Sequence, residues 1–115
     1  MTCIKPLEAS AWALALSVSA ALAAPAAWAA DAVAGRQKAS TCAVCHGLLG
    51  LSQTPDAPHL AGQPAMYLAA QLKAYRSGAR RHEVMAVIAK PLSDYEIENL
   101  AAWYSSQKIS VQSPP

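Results

Sequence analysis

The stretch Cys42-Ala43-Val44-Cys45-His46 constrains this chain more than any other part of it. On a helical turn the thiols fall at i and i+3 and the imidazole at i+4, so all three project from one face. C-x-x-C-H is the attachment signal of a covalently bound haem. The thiols add across the two porphyrin vinyl groups while His46 reaches the iron from the proximal side. Other readings of a C-x-x-C pair make demands that this sequence does not meet. A thioredoxin-like redox pair belongs beside a βαβ pattern, and a structural zinc site needs two further ligands at suitable spacing. There are no alternating strand patterns and no second cysteine pair, and His59 and His82 stand alone in the sequence. One haem c per chain, attached through Cys42 and Cys45, is therefore the expected cofactor.

Residues 1–29 read as a secretory signal. Lys5 gives a basic start, no charge appears between Glu8 and Asp31, and an alanine-rich apolar core runs from about Ala11 to Ala24. Pro25 ends the core, and Ala27-Trp28-Ala29 presents small residues where a signal peptidase cuts, placing cleavage after Ala29. The uncharged run approaches the length of a membrane span, but its alanine content and the A-x-A site favour removal over retention as an anchor. Cys3 leaves with the signal. Residues 30–115 then form one small domain, and chains of that size need a staple to supplement a thin core. Haem supplies it. Loss of Lys5 and Glu8 leaves the net charge at +2, which two ionised propionates bring close to zero. A nucleic-acid binder would show a far larger basic excess.

Past the signal the patterns are helical. Asp31 is an N-cap for a helix from Ala32 to about Cys42, with Gly35 inside it; a helical glycine costs about 1 kcal/mol relative to alanine, so a close neighbour is expected there. Gly47 to Pro58 is a loop. A carbonyl from it, with Pro58 the candidate, can accept the ring N–H of His46 and fix the imidazole. His59 reads as a surface residue. Pro64 opens a second helix at its first position and Gly78 closes it, with Leu68, Leu72 and Tyr75 as its apolar stripe and Met66 as a core filler. Val84 to Ile88 reads as a short buried segment after a polar loop. Ser93 and Glu96 form a capping box for the last helix, in which Ile97, Leu100, Ala101 and Tyr104 recur on one face and Trp103 is expected to be largely buried.

Cys42-Ala-Val-Cys45-His46-Gly47, Pro58-His-Leu-Ala-Gly-Gln63, Met85 and Pro91-Leu-Ser-Asp94 followed by Leu100-Ala-Ala-Trp103-Tyr104 resemble the class I c-type cytochromes, in particular small bacterial monohaem members and the repeat unit of the dihaem ones. The resemblance implies an all-α, class I cytochrome c fold in which the first and last helices cross at Gly35 near Leu100 and Trp103. It also implies that Met85, not Met66, is the distal ligand opposite His46. Pro58, Tyr67 and Arg80 lie around the cofactor in that scheme without assigned roles.

With both axial positions filled by protein, the expectation is a periplasmic one-electron carrier, not an enzyme, working between redox protein partners as a monomer or weak dimer. Membrane contact would come only through partner complexes or a retained signal. The alternatives are a haem sensor or peroxidase-like protein with a displaceable sixth ligand, and an electron-transfer subunit of a larger dehydrogenase. Lys73, Arg76, Arg80, Arg81 and Lys90 are the candidates for a basic docking rim.

Overall fold

A computed structural model describes residues 29–114. The expected export signal, apart from Ala29, lies outside the described residues, and Cys3 with it. Asp31 starts the first helix, α1 (Ala32–Lys38), by accepting the backbone N–H groups of Val33 at 2.8 Å and Ala34 at 3.2 Å. After Lys38 the chain tightens into a 3₁₀ turn, Ala39–Thr41, and enters α2 (Ala43–His46). The expected single helix is broken there because the Ser40 and Thr41 hydroxyls bond back to the carbonyls of Gln37 and Lys38, competing with the helical ladder.

Three further helices complete the described fold: α3 (Ala65–Ser77), α4 (Glu83–Ala89) and α5 (Asp94–Ser105). Pro64 precedes α3 as its N-cap residue, one place earlier than expected, and Gly78 ends it in the left-handed conformation. The capping box of α5 is complete, with Glu96 N–H on the Ser93 hydroxyl at 3.1 Å and Ser93 N–H on the Glu96 carboxylate at 2.9 Å. No strand occurs among the described residues, and the fold is all-α.

The core forms along one face of α5. Ile97, Leu100, Ala101 and Tyr104 bury against Ala39, Leu68, Ala69, Ala89 and Leu92. Helices α1 and α3 both pack on α5, while α4 rests on α3. At the α1–α5 crossing a Cβ on Gly35 would stand 1.9 Å from the backbone oxygen of Asn99 and 2.9 Å from Trp103 Cβ. The glycine is there for close approach, as expected, with Asn99 rather than Leu100 as the backbone it meets. Asn99 is itself buried, and its side-chain oxygen accepts the Asp31 backbone N–H at 2.8 Å, tying the start of α1 to the middle of α5.

Several side chains sit elsewhere than the periodicity suggests. Trp103 is half-buried, because its indole N–H reaches the Leu48 carbonyl at 2.9 Å at the surface, and the Arg36 guanidinium lies 5.6 Å from its ring centre. Met66 is 87 % exposed and fills no core gap. Val84, Val87 and Ile88 are exposed too, since α4 packs chiefly on α3 and turns only Ala89 fully inward. Three of the candidate rim residues have polar or ring partners. Lys73 pairs with Glu98 at 2.6 Å, Arg76 with Asp94 at 2.5 Å and the Leu92 carbonyl at 2.7 Å, and Arg80 bonds Gln71 and stacks on Tyr75.

Two predictions follow from this packing. Gly35→Ala should destabilise the folded protein by at least the ~1–3 kcal/mol typical of overpacking, because the obstacle is backbone that cannot rotate away; guanidinium unfolding measures it. The hydrogen bond and charge of Arg76 hold the Asp94 carboxyl below the usual carboxylate range. Its contribution to stability is therefore present above that range and is lost as pH falls through the lowered value. The stability difference between the parent chain and Asp94→Asn, followed by chemical denaturation across pH, should be largest near neutrality and vanish in acid.

Candidate cofactor-attachment site

Cys42 is the residue at the head of α2 and His46 is its last, so the short helix carries the whole C-x-x-C-H motif. The His46 N–H closes the turn on the Cys42 carbonyl at 3.0 Å. His46 is buried, and its Nδ1 lies 2.9 Å from the Pro58 carbonyl oxygen. A carbonyl only accepts, so Nδ1 carries the proton and the Nε2 lone pair is left for a metal. The same bond fixes the ring and raises its basicity toward a metal. Pro58 is the residue expected from the sequence to do this.

A lattice of local bonds holds the loop that brings Pro58 into place. The Ser52 hydroxyl donates to the Cys45 carbonyl at 2.8 Å and accepts the Thr54 N–H at 3.1 Å, while the Thr54 hydroxyl reaches the same Cys45 carbonyl at 3.2 Å. His59, exposed as expected, accepts the Ser52 N–H on Nδ1 at 2.8 Å. The carbonyl of Gly50 takes the N–H groups of Leu60 and Ala61 at 2.7 and 3.1 Å. Gly50 has φ +80°, and a Cβ there would lie 2.6 Å from Ala61 N and 2.8 Å from the Tyr104 ring. Trp103, through Leu48, and the Tyr104 carbonyl, through the Gly62 N–H at 2.9 Å, fasten the loop to α5.

Both thiols are unpaired; Cys42 is half-buried and Cys45 exposed. Burial pushes the Cys42 thiol up, partly offset by the Thr41 hydroxyl at 3.9 Å. Met85 is half-buried in the first turn of α4, its backbone N–H donated to His82 Nδ1 at 3.3 Å. Tyr67 is exposed, and Arg80 is engaged with Gln71 and Tyr75. Cys42, Cys45 and His46 are thus brought onto one turn, while Met85 is presented from a separate helix.

The donor set fits a covalently attached haem: two free thiols at the required spacing, an imidazole already oriented through its far nitrogen, and a thioether on another element. It does not fit a protein-only metal site. Among the described residues no group of three or more His, Cys, Asp or Glu side chains could hold a metal ion. Sequence reasoning missed Asn99, the Ser52–Thr54 clamp and the Tyr104 hydroxyl. A polar residue on the buried face of α5 was the available signal for Asn99.

Residues 32–108 match the family model described as Cytochrome c. Cytochrome c-554(548) of Halomonas halodenitrificans is 46 % identical over 68 % of this chain and 98 % of its own length. The thiosulfate dehydrogenase electron acceptor of Thiomonas intermedia is 43 % identical over 81 % of this chain but 42 % of its own. The crystal structure of reduced cytochrome c4 from Pseudomonas stutzeri aligns with TM-score 0.67 at 41 % identity, over 72 % of this chain and 48 % of that one. The chain therefore spans nearly all of the first relative and less than half of the other two.

Removing the Ser52 hydroxyl should loosen the loop that presents the Pro58 carbonyl. Ser52→Ala is expected to lower global stability by about 1 kcal/mol. Backbone hydrogen exchange should also accelerate across 47–58 before it does in α5, which distinguishes local loosening from general unfolding.

Proposed function

The chain belongs to the cytochrome c family, and on that footing we propose that it is an exported one-electron carrier whose single haem is held by Cys42 and Cys45, with His46 and Met85 as axial ligands. The observation that carries this reading is the 2.9 Å contact of His46 Nδ1 with the Pro58 carbonyl, directly beside two free thiols at attachment spacing. The bound group supplies an iron that accepts and returns one electron.

The protein's part is to hold that iron steadily. His46 is locked by Pro58 and by the bonded loop behind it, so its ring need not swing when the charge on the metal changes. Met85 offers a soft thioether, which favours ferrous over ferric iron and raises the reduction potential. Were His46 and Met85 both to hold the iron, a small molecule could reach it only by displacing one of them, which favours a carrier over oxygen chemistry. The apolar, alanine-rich run ahead of Ala27-Trp28-Ala29 supports export to the periplasm. Among the described residues no helix is long and apolar enough to cross a membrane. The name of the Thiomonas relative supports a dehydrogenase as the class of electron donor.

Carbon monoxide tests the assignment. The purified ferrous protein should bind it slowly and incompletely, and Met85→Ala should bind it rapidly and completely. The variant's ferric spectrum should lose its low-spin His/Met features. Its reduction potential should fall on the order of 0.1 V or more, within the roughly 0.8 V range that axial ligands span. Rapid, complete binding by the unaltered chain would replace the carrier with the sensor or peroxidase-like reading.

A further inference from the structure

Tyr104 combines a core position with an unmet polar demand. The residue is 3 % exposed, yet its hydroxyl is the one buried side-chain nitrogen or oxygen among the described residues that lacks a hydrogen-bond partner. Buried polar atoms of that kind are rare in folded proteins and ask for an explanation. The ring belongs to the core cluster against which the Cys42 side chain packs, and it lies on Gly50 in the loop leading to Pro58. Beyond burial itself, Cys42 is the neighbour that acts on this hydroxyl. Cys42 is also one of the two proposed attachment points, and a thiol and a thioether differ as partners. A thiol is both a weak donor and a weak acceptor, whereas a thioether sulfur only accepts.

We propose that Tyr104 is a positioning residue for the cofactor, its hydroxyl donating a hydrogen bond to the Cys42 sulfur once that sulfur has become a thioether. The inference rests on the attachment proposed above. It explains why an aromatic residue with a hydroxyl occupies the buried stripe of α5 with no other partner for that group. Such a bond draws electron density from the edge of the macrocycle and favours ferrous iron, in the way hydrogen bonds around a redox centre tune it. It also makes α5, which already fastens the Pro58 loop, a second hold on the C-x-x-C-H turn.

The test uses the mature holoprotein, with intact mass measured first. Absence of covalently bound haem overturns the attachment reading and this proposal together. With haem attached, Tyr104→Phe keeps the ring and removes only the hydroxyl. The expected result is a shift of the one-electron equilibrium toward ferric iron by about threefold, which is about 28 mV at 59 mV per decade. A displaced C–S stretching band in the resonance Raman spectrum should accompany it. In a Cys42→Ala background, with haem held through Cys45, the same substitution should move the potential no further. An unchanged potential and C–S band in Tyr104→Phe, or an equal shift in the Cys42→Ala background, would overturn the proposal while leaving the attachment reading intact.

Discussion

The backbone contact between α1 and α5 at Gly35 sets the position of nearly everything that matters in this protein. It brings the first and last helices so close that a Cβ on Gly35 would stand 1.9 Å from the Asn99 backbone oxygen, and Asn99 locks the approach by accepting the Asp31 N–H. Because α1 runs through one 3₁₀ turn into α2, fixing α1 on α5 also fixes the C-x-x-C-H turn. Because α5 carries Trp103 and Tyr104, the same crossing places the groups that anchor the loop ending at Pro58. Both the imidazole and the carbonyl that orients it therefore depend on one close approach that only glycine allows.

The core built around that crossing is thin. Among the described residues half of the buried apolar ones are alanines (Ala39, Ala61, Ala69, Ala89 and Ala101), and Ile97 and Leu100 are the large side chains completely enclosed. Alanine lets helices approach but removes little apolar area from water, at about 25 cal/mol per Å². Small domains with such cores depend on a cross-link, a metal or a cofactor. The haem proposed for Cys42 and Cys45 would meet that need, and the C-x-x-C-H turn lies where α1 and the α5-anchored loop converge.

What could be read in the sequence was what local chemistry determines. The Asp31 cap, the Ser93–Glu96 capping box, the buried stripe of α5 and the Pro58 carbonyl behind His46 each involve residues close in sequence or one short loop, and all were legible. The misplaced residues answer to long-range partners. Trp103 sits half out of the core because its indole N–H has an acceptor in the loop, a demand that hydrophobic periodicity does not register. Val84 to Ile88 reads as buried from composition, but burial depends on what packs against α4, and with α3 against it only Ala89 of this helix is buried. Lys73 and Arg76 look like free surface charge until α5 brings Glu98 and Asp94 beside them. Asn99 is a polar residue on an apolar face, and its partner lies at the other end of the fold.

The two proposed axial ligands are held with unequal rigidity, and this asymmetry has a physical consequence. His46 is enclosed by a loop bonded to its own helix through Ser52 and Thr54 and to α5 through Leu48 and Gly62. Met85 sits on a short helix that rests mainly on α3, with an imidazole cap at 3.3 Å and exposed apolar neighbours. Segments with few buried contacts open at lower free energy than the core. Local opening would therefore release the thioether well before the imidazole. A carrier of the proposed kind would tolerate this arrangement, because His46 and attachment through Cys42 and Cys45 would keep the cofactor seated while the softer, looser Met85 thioether tuned the potential.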